Sequence, residues 1–338
     1  MRPKVAIIYN DPAPSRYQDL GEEKAVLGVL DEVEGVYQSL VELGYPVERI
    51  PLSPPLEAVS QTLASLKTDL VFNLFEGFDG CPETEAVVAG MLEGLNIPHT
   101  GCPASALSVA VDKGRTKALL QTARIATPRY QLLDAETVHL FHLAFPCIVK
   151  PCVEDASHGI TEESFVQDFA ALSRQVAKIS AAYRGRALVE EFMEGREFNI
   201  TVMGTDKLTA LPISEIAYSL PPGMPRILTF SAKWELATVY ADGTKVTCPA
   251  QIDLELKTRI EKLAMSVYRL LGCSGYARVD LRLNGKGKPH VLEVNPNPDI
   301  SPDVGAARQA RASGMTYSEF IERITSLALE GTKLPLGA

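Results

Sequence analysis

The chain has 338 residues, 46% apolar and 22% charged, an ordinary balance for a globular protein able to bury a sizeable core without staples. Its 33 Lys+Arg against 42 Asp+Glu give a formal net charge of −9, which argues against a nucleic-acid face and against attraction to anionic membranes. No apolar run approaches the ~20 residues of a membrane helix. The start, MRPKVAIIYN, is too short and too strand-like for a signal peptide. Six cysteines, at 81, 102, 147, 152, 248 and 273, form no CxxC pair and read as reduced thiols of a cytoplasmic protein. At ~100–200 residues per domain, two or three domains are expected.

In chain order, KVAIIY (4–9) is a compact apolar run and reads as a buried strand, followed by a Pro-containing loop over 11–17. Helical spacing runs from about Glu22 to Leu43, with Ala25, Val26, Val29 and Leu30 on one face, and stops at Gly44-Tyr45-Pro46. DLVFNLF (69–75) is the next strand, and a helix follows over about 84–95. This alternation predicts an open α/β domain over about residues 1–102. Beyond it come a long helical pattern (104–123), a strand at FPCIVKP (145–151), a Gly-containing loop and a helix from Glu162 to about Ala182. Strands are expected at 187–192, 197–204 and 208–216, a helix at 253–271, and strands at 277–283 and 290–295. A last helix starts near Thr316, whose spacing to Glu319 fits a capping box.

Three stretches could carry chemistry. In the first, YARVDLRLNGKGKPHVLEVNPNPDIS (276–301), Glu293 and Asn295 lie at i and i+2, so they project from one strand face, with Asp280 in the strand before. Two carboxylates and an amide oxygen suit a hard cation such as Mg²⁺, which typically takes one or two carboxylates plus substrate phosphates. Two ordinary strands with charged exposed faces are the plain alternative. The second is Lys150, a lysine closing an apolar strand, followed by the small loop EDASHGI (154–160) that could cradle phosphate with backbone N–H groups. Neither GxxxxGK[ST] nor GxGxxG is present. The third, LVEEFMEGREF (188–198), could offer its backbone to an adenine edge and Glu197 to a ribose; without further context a charged surface turn is the better explanation.

Taken in order, these stretches resemble the ATP-grasp superfamily and, within it, D-alanine–D-alanine ligases, over roughly residues 70–328. The matching pieces are HTGCPASALSVAVDKGRTKALL (99–120), FPCIVKP, LVEEFMEGREF, ARVDLRL, LEVNPNP (292–298) and ARQARASGMTYSEFIERI (307–324). The resemblance implies an α/β ATP-grasp fold: an N-terminal open α/β (preATP-grasp) domain at 1–102, a central subdomain at 103–189 and a C-terminal subdomain at 190–338, enclosing ATP. It implies that Lys113 and Lys150 contact ATP phosphates, that Glu190, Glu191 and Met193 form the adenine connector, and that Glu197 holds the ribose. Phe192 and Leu292 would enclose the adenine. Lys233 would lie near the γ-phosphate, Arg278 would stabilise the oxyanion, and Ser157 would sit in a loop closing over the phosphates. Asp280, Glu293 and Asn295 would bind two Mg²⁺ ions, with Mn²⁺ as an alternative metal. The implied reaction phosphorylates a carboxylate, and an amine then attacks the acyl phosphate.

The chain departs from that pattern on the substrate side. The Gly-Gly loop after the first strand is replaced by Asn10-Asp11-Pro12-Ala13-Pro14-Ser15, and Glu22 and Glu23 follow in an uncertain register. Phe72–Gly80 replaces a His-Gly-x-x-Gly-Glu-Asp-Gly segment. A Tyr–Ser pair tying two closing loops aligns with Trp234 and Ala156, whose side chains cannot make that bond. A serine for the acceptor carboxylate aligns near Val304, and a glycine aligns with Asp299. The expectation is an ATP- and Mg²⁺-dependent carboxylate–amine ligase acting on amino acids or amines other than two D-alanines. The alternatives are D-Ala–D-Ala ligation itself, in peptidoglycan synthesis, or a nucleotide-binding pseudo-enzyme. A homodimer is expected from the family habit alone. His139 and His142 are read as packing residues, and His158 as either a phosphate contact or a solvated side chain. Asp11, Arg16 and Tyr17 are candidates for a substrate-facing loop, and Cys147 is a thiol whose alkylation would block ATP.

Overall fold

A computed structural model describes residues 2–12, 20–78, 81–183 and 185–331. Three sheets organise it. The first is parallel, with strands β1 (Val5–Asn10), β2 (Val47–Leu52) and β3 (Leu70–Leu74) in the order β2-β1-β3. Strand alternation splits its apolar residues between two faces. Val5, Ile7, Leu70, Phe72 and Leu74 pack against α1 (Glu23–Glu42) through Val29, Val33, Val36 and Leu40. Ala6, Ile8 and Val71 pack against α2 (Leu56–Ser65) and α3 (Glu83–Gly94) through Val59, Leu63, Val88 and Leu92. Each such aliphatic side chain, when fully buried, stabilises by roughly 1.5–3 kcal/mol.

The expected helix over 104–123 is two helices, α4 (Ala104–Ala110) and α5 (Lys113–Thr122). Asp112 ends the first run with an extended backbone and caps the second, accepting from the Arg115 N–H at 3.0 Å. The break lets the Lys113 N–H reach the Cys152 carbonyl at 3.0 Å, a bond within one continuous helix would forbid.

The second sheet has the order β4 (Tyr130–Leu133), β7 (Ala187–Glu191), β5 (Cys147–Pro151), β6 (Phe165–Val166), all antiparallel. Cys147, Val149, Ala187 and Val189 face α6 (Phe169–Ala182) through Leu172, Val176 and Ile179. By parity, Lys150 and Glu190 face the other way. The helix expected from Glu162 starts later, at Phe169, with Asp168 as its cap; before it lie a 3₁₀ turn (Glu162–Ser164) and β6.

The third sheet runs β11 (Thr244–Thr247), β10 (Ser214–Tyr218), β8 (Glu197–Gly204), β12 (Gly275–Leu283), β13 (Pro289–Asn295), with β9 (Thr209–Ala210) beside β8. The strand expected over 208–216 is thus two short strands, β9 and β10, separated by Pro212. The short α7 (Phe230–Trp234) and α8 (Val239–Gly243) precede β11. Phe198, Ile200, Val202, Ala277, Val279 and Leu281 bury against α9 (Leu254–Leu270). That burial fixes the sheet's register and turns its polar residues to the opposite face. Helices α10 (Gly305–Ala312) and α11 (Tyr317–Gly331) close the chain, and α11 packs beside α1. Thr316 and Glu319 form the expected capping box, with reciprocal bonds at 2.7 and 3.2 Å. Among the described residues no helix is long and apolar enough to cross a membrane.

Candidate active site

The antiparallel register of β12 and β13 sets Asp280 directly opposite Glu293 and Arg278 opposite Asn295. The register shifts between Asp280 and Leu281, which leaves Leu292 as an extra residue beside Glu293. Three of the expected metal ligands and the expected oxyanion arginine therefore share one sheet face. Arg278 holds Asp280 with two bonds, at 2.8 and 2.9 Å. This pairing keeps the guanidinium charged against the cost of its burial. Glu293 pairs with Lys113 at 3.0 Å. Burial pushes the Glu293 carboxyl up, but Lys113 and Lys150 outweigh it and hold it below the usual carboxylate range. Asn295 Oδ1 accepts from the Asn297 N–H at 3.1 Å, which orients it.

From the second sheet, Lys150 extends toward the same cleft and pairs with Glu190 at 2.6 Å. Glu190 is 1% exposed and also pairs with Lys117. Burial pushes Glu190 up, and the two lysines outweigh it. Lys117 was not singled out in the sequence. It lies at i+4 from Lys113 on α5, 1% exposed, and bonds the Thr127 hydroxyl at 2.9 Å and the Leu292 carbonyl at 3.2 Å. A buried lysine one turn from a recognised lysine was the available signal.

The expected adenine connector separates by face. Glu191 points away from Glu190, toward Arg129 at 3.1 Å. Phe192 packs edge-on against Phe165 at 4.9 Å and lies under the Arg282 guanidinium at 4.6 Å. Met193 is half-buried beside them. Glu197 is held by Arg282 at 3.1 Å and by the Tyr218 hydroxyl at 2.8 Å. Burial nonetheless raises its pKa. Cys147 is fully buried on the α6 face, and burial pushes its thiol up to about 12. The expectation of an alkylatable thiol at the nucleotide is therefore corrected. Among the described residues no disulfide joins any of the six cysteines.

The loop after β5 is fastened from two sides. Glu22, at the start of α1, accepts from His158 at 2.7 Å, from the Gly159 N–H at 3.0 Å and from the Tyr183 hydroxyl at 2.9 Å. Burial pushes the Glu22 carboxyl up, and these donors bring it below its ordinary value. His158 is 4% exposed, so the solvated reading is corrected. Trp234 Nε1–H donates to the Ala156 carbonyl at 2.9 Å. The tie judged impossible for these two side chains is thus made through the backbone. Two glycines make the closure fit. A Cβ on Gly159, at φ +71°, would stand 2.7 Å from the Tyr183 ring, and one on Gly28 would meet the Trp234 ring at 3.2 Å. Ala156 and Ser157 also carry positive φ, 48° and 64°, so Ser157 sits at the turn's apex. Lys233 is exposed and lies 4.7 Å from the Trp234 ring.

His139 and His142 are exposed, correcting the packing reading. Arg16 and Tyr17 lie outside the described residues. Asp11 is exposed and accepts from the Ser53 hydroxyl at 3.3 Å. Glu76, Glu85, Lys113, Asp155, Glu293 and Asn295 line one cleft between the lysines and the first sheet.

The sequence family described as D-ala D-ala ligase C-terminus matches residues 119–326. A D-alanine–D-alanine ligase of Cupriavidus necator is 32% identical over 299 residues, covering 87% of this chain and 85% of that protein. An uncharacterized protein of Sinorhizobium fredii is 35% identical over 259 residues, covering 77% of this chain and 74% of that protein. The crystal structure of the D-alanine–D-alanine ligase from Bacillus anthracis complexed with ATP aligns with a TM-score of 0.74 at 21% identity, over 98% of this chain and 99% of that one. The fold is the ATP-grasp fold, and the chain belongs to the D-alanine–D-alanine ligase family, whose members are ATP-dependent ligases that form carbon–nitrogen bonds.

Proposed function

We propose that the chain is a carboxylate–amine ligase that uses ATP and Mg²⁺ and joins substrates other than two D-alanines. The observation that carries this reading is the β12–β13 register, which puts Arg278, Asp280, Glu293 and Asn295 on one face beside Lys113 and Lys150. Phosphoryl transfer depends mostly on positioning and charge neutralisation, and these groups supply both. Lys113, Lys150 and Lys233 bind and orient the phosphates. Glu190, between Lys117 and Lys150, keeps the Lys150 ammonium charged against its burial. Arg278 faces the position where the tetrahedral oxyanion develops. Ser157 lies in the loop that excludes water from the acyl phosphate. Phe192 and Leu292 enclose the adenine, Glu191 and Met193 belong to its connector, and Glu197 holds the ribose.

Among the described residues no three His, Cys, Asp or Glu side chains gather as a metal cluster. The proposed donor set has two carboxylates and one amide oxygen, which fits Mg²⁺ completed by phosphate oxygens. Asp280, Glu293 and Asn295 would hold two such ions, with Mn²⁺ an alternative, and the metal would neutralise charge on the transferring phosphoryl group.

The altered-substrate half of the reading is supported by the amine side: Trp234 bonds a backbone carbonyl, and Asp299 stands where the family pattern has a glycine. D-Ala–D-Ala ligation is the second reading, favoured by the names of the relatives. An ADP-release screen over amino acids of both chiralities, dipeptides and amines tests both. Release with D-alanine alone decides for the second. No release with any amine, alongside tight ATP binding, sinks both in favour of a nucleotide-binding pseudo-enzyme.

A further inference from the structure

The cleft has a second wall whose charge the ATP chemistry does not use. Glu76 follows β3, Glu85 lies in the first turn of α3, and Asp155 rises from the loop after β5; all three line the cleft that Lys113 and Glu293 close. Asn297, two residues beyond Asn295, donates to Glu85 at 2.8 Å and to the Phe75 carbonyl at 3.4 Å. This fixes Glu85 and the backbone beside Glu76 against the metal-side strand. Glu76's own N–H is held by Asn10 at 3.2 Å.

Two further observations stand behind that wall. Glu32 of α1 is 4% exposed, accepts from the Ile300 N–H at 2.8 Å and, among the described residues, pairs with no cation. It faces Asp299 and Glu76. The Tyr317 hydroxyl, facing Glu32 and Asp299, is buried with no hydrogen-bond partner. Among the described residues, none of Glu32, Glu76, Glu85, Asp155 and Asp299 makes an ion pair. Lys233, whose charge is felt at Glu76, is exposed and sits on the Trp234 ring. A buried carboxylate without a counter-charge is expensive, and polar atoms fixed around such groups await a partner.

We infer that the substrate taken at this wall is an organic cation: an amine whose second positive group, the ammonium or guanidinium of a basic amino acid or of a diamine, is held by Glu76 and Glu85. The inference rests on the proposed ligase activity and adds the chemical class of its amine. A neutral amino acid would leave the carboxylates uncompensated, and a site built to pair a charged group rejects analogues that lack it.

The test uses the full chain with ATP and Mg²⁺, comparing ADP release with alanine, serine, lysine, ornithine and arginine of both chiralities, and with 1,4-diaminobutane. At least one cationic amine should exceed the best neutral one by roughly 10-fold or more in kcat/KM. Glu85→Gln and Glu76→Gln should raise KM for that amine by roughly 10-fold while leaving KM for ATP in place and not lowering the melting temperature. The diamine against the basic amino acids decides whether an α-carboxylate is also read. Equal or better turnover with neutral amines overturns the inference and leaves the ligase reading standing. Loss of a bound Mn²⁺, rather than of amine selectivity, in Glu85→Gln would also overturn it. No release with any amine removes the ligase reading and this inference with it.

Discussion

The proposed nucleotide side and the proposed amine side of the cleft are built in different ways. On the nucleotide side every buried charge has a partner. Glu190 sits between Lys117 and Lys150, Glu293 meets Lys113, Asp280 meets Arg278, and Glu197 meets Arg282. On the proposed amine side Glu32 and Glu85 accept from the Ile300 N–H and the Asn297 amide, and among the described residues Glu32, Glu76 and Glu85 form no ion pair. The first arrangement is preorganised around its own counter-charges. On the proposed reading, the second is completed by the cationic group of the substrate. The difference, on that reading, separates the machinery this chain shares with its family from the side that selects its substrate.

Predictions can break that comparison at either side. The largest effects are expected at Glu293 and Arg278. Glu293→Gln should abolish turnover, and normal rates in that variant would disprove the metal assignment. Replacing Arg278 with Met should lower kcat by ~10²–10³, read from initial rates of ADP release, and should free Asp280 from its bidentate partner. Next comes Glu190. Glu190→Gln leaves two buried lysines without their carboxylate and should cost about 3–5 kcal/mol in chemical denaturation. A cost under ~1 kcal/mol would mean the pair of lysines is solvated and the two sides are not different in kind.

Trp234→Phe keeps an aromatic ring against Gly28 and deletes the donor to Ala156. ADP should still form, while product per ADP falls several-fold as the loosened loop admits water. Unchanged coupling would show that the Glu22 contacts alone hold the loop. Because Trp234 is the chain's one tryptophan, its fluorescence reports the same event directly.

The smallest effect is a pH dependence. Burial, with Asp155 and Asp299 nearby, pushes Glu76 up to about 8. A raised folded-state value means the folded chain binds the proton more tightly than the unfolded chain. Without a cationic ligand, stability should therefore fall as pH rises from about 5 to 8, and Glu76→Gln should flatten that slope in thermal melts. Glu22 has the opposite sign. Its folded value is lowered, so its contribution is present above the ordinary carboxylate pKa and is lost as pH falls through the folded value.

Legibility in the sequence followed the same division. β12 and β13 could be read because alternation and acidic strand ends show in a single strand, and the hairpin then pairs them. The apolar strands β1, β3, β5 and β7 were equally plain. The break between α4 and α5 was not, because Val111 and Asp112 fit a helical pattern and a contact to Cys152, 40 residues on, decides against it. β2 and β11 carry mostly exposed residues and so lack a core-facing pattern. Glu22 could not be assigned from the sequence, since its partners His158, Gly159 and Tyr183 lie more than 130 residues away. Trp234 was misjudged because side-chain chemistry alone does not reveal that a backbone carbonyl, at a residue with φ of 48°, turns to meet it. Carboxylates 32, 76 and 85 stand on three separate elements, and nothing local in the sequence announces that they converge.

The most direct measurement of this account is the amine dependence of ADP release by the full chain with saturating ATP and Mg²⁺. The account predicts robust release with an amine other than D-alanine, at a kcat/KM above that for D-alanine. Release with D-alanine alone, at a rate no other amine approaches, would contradict it.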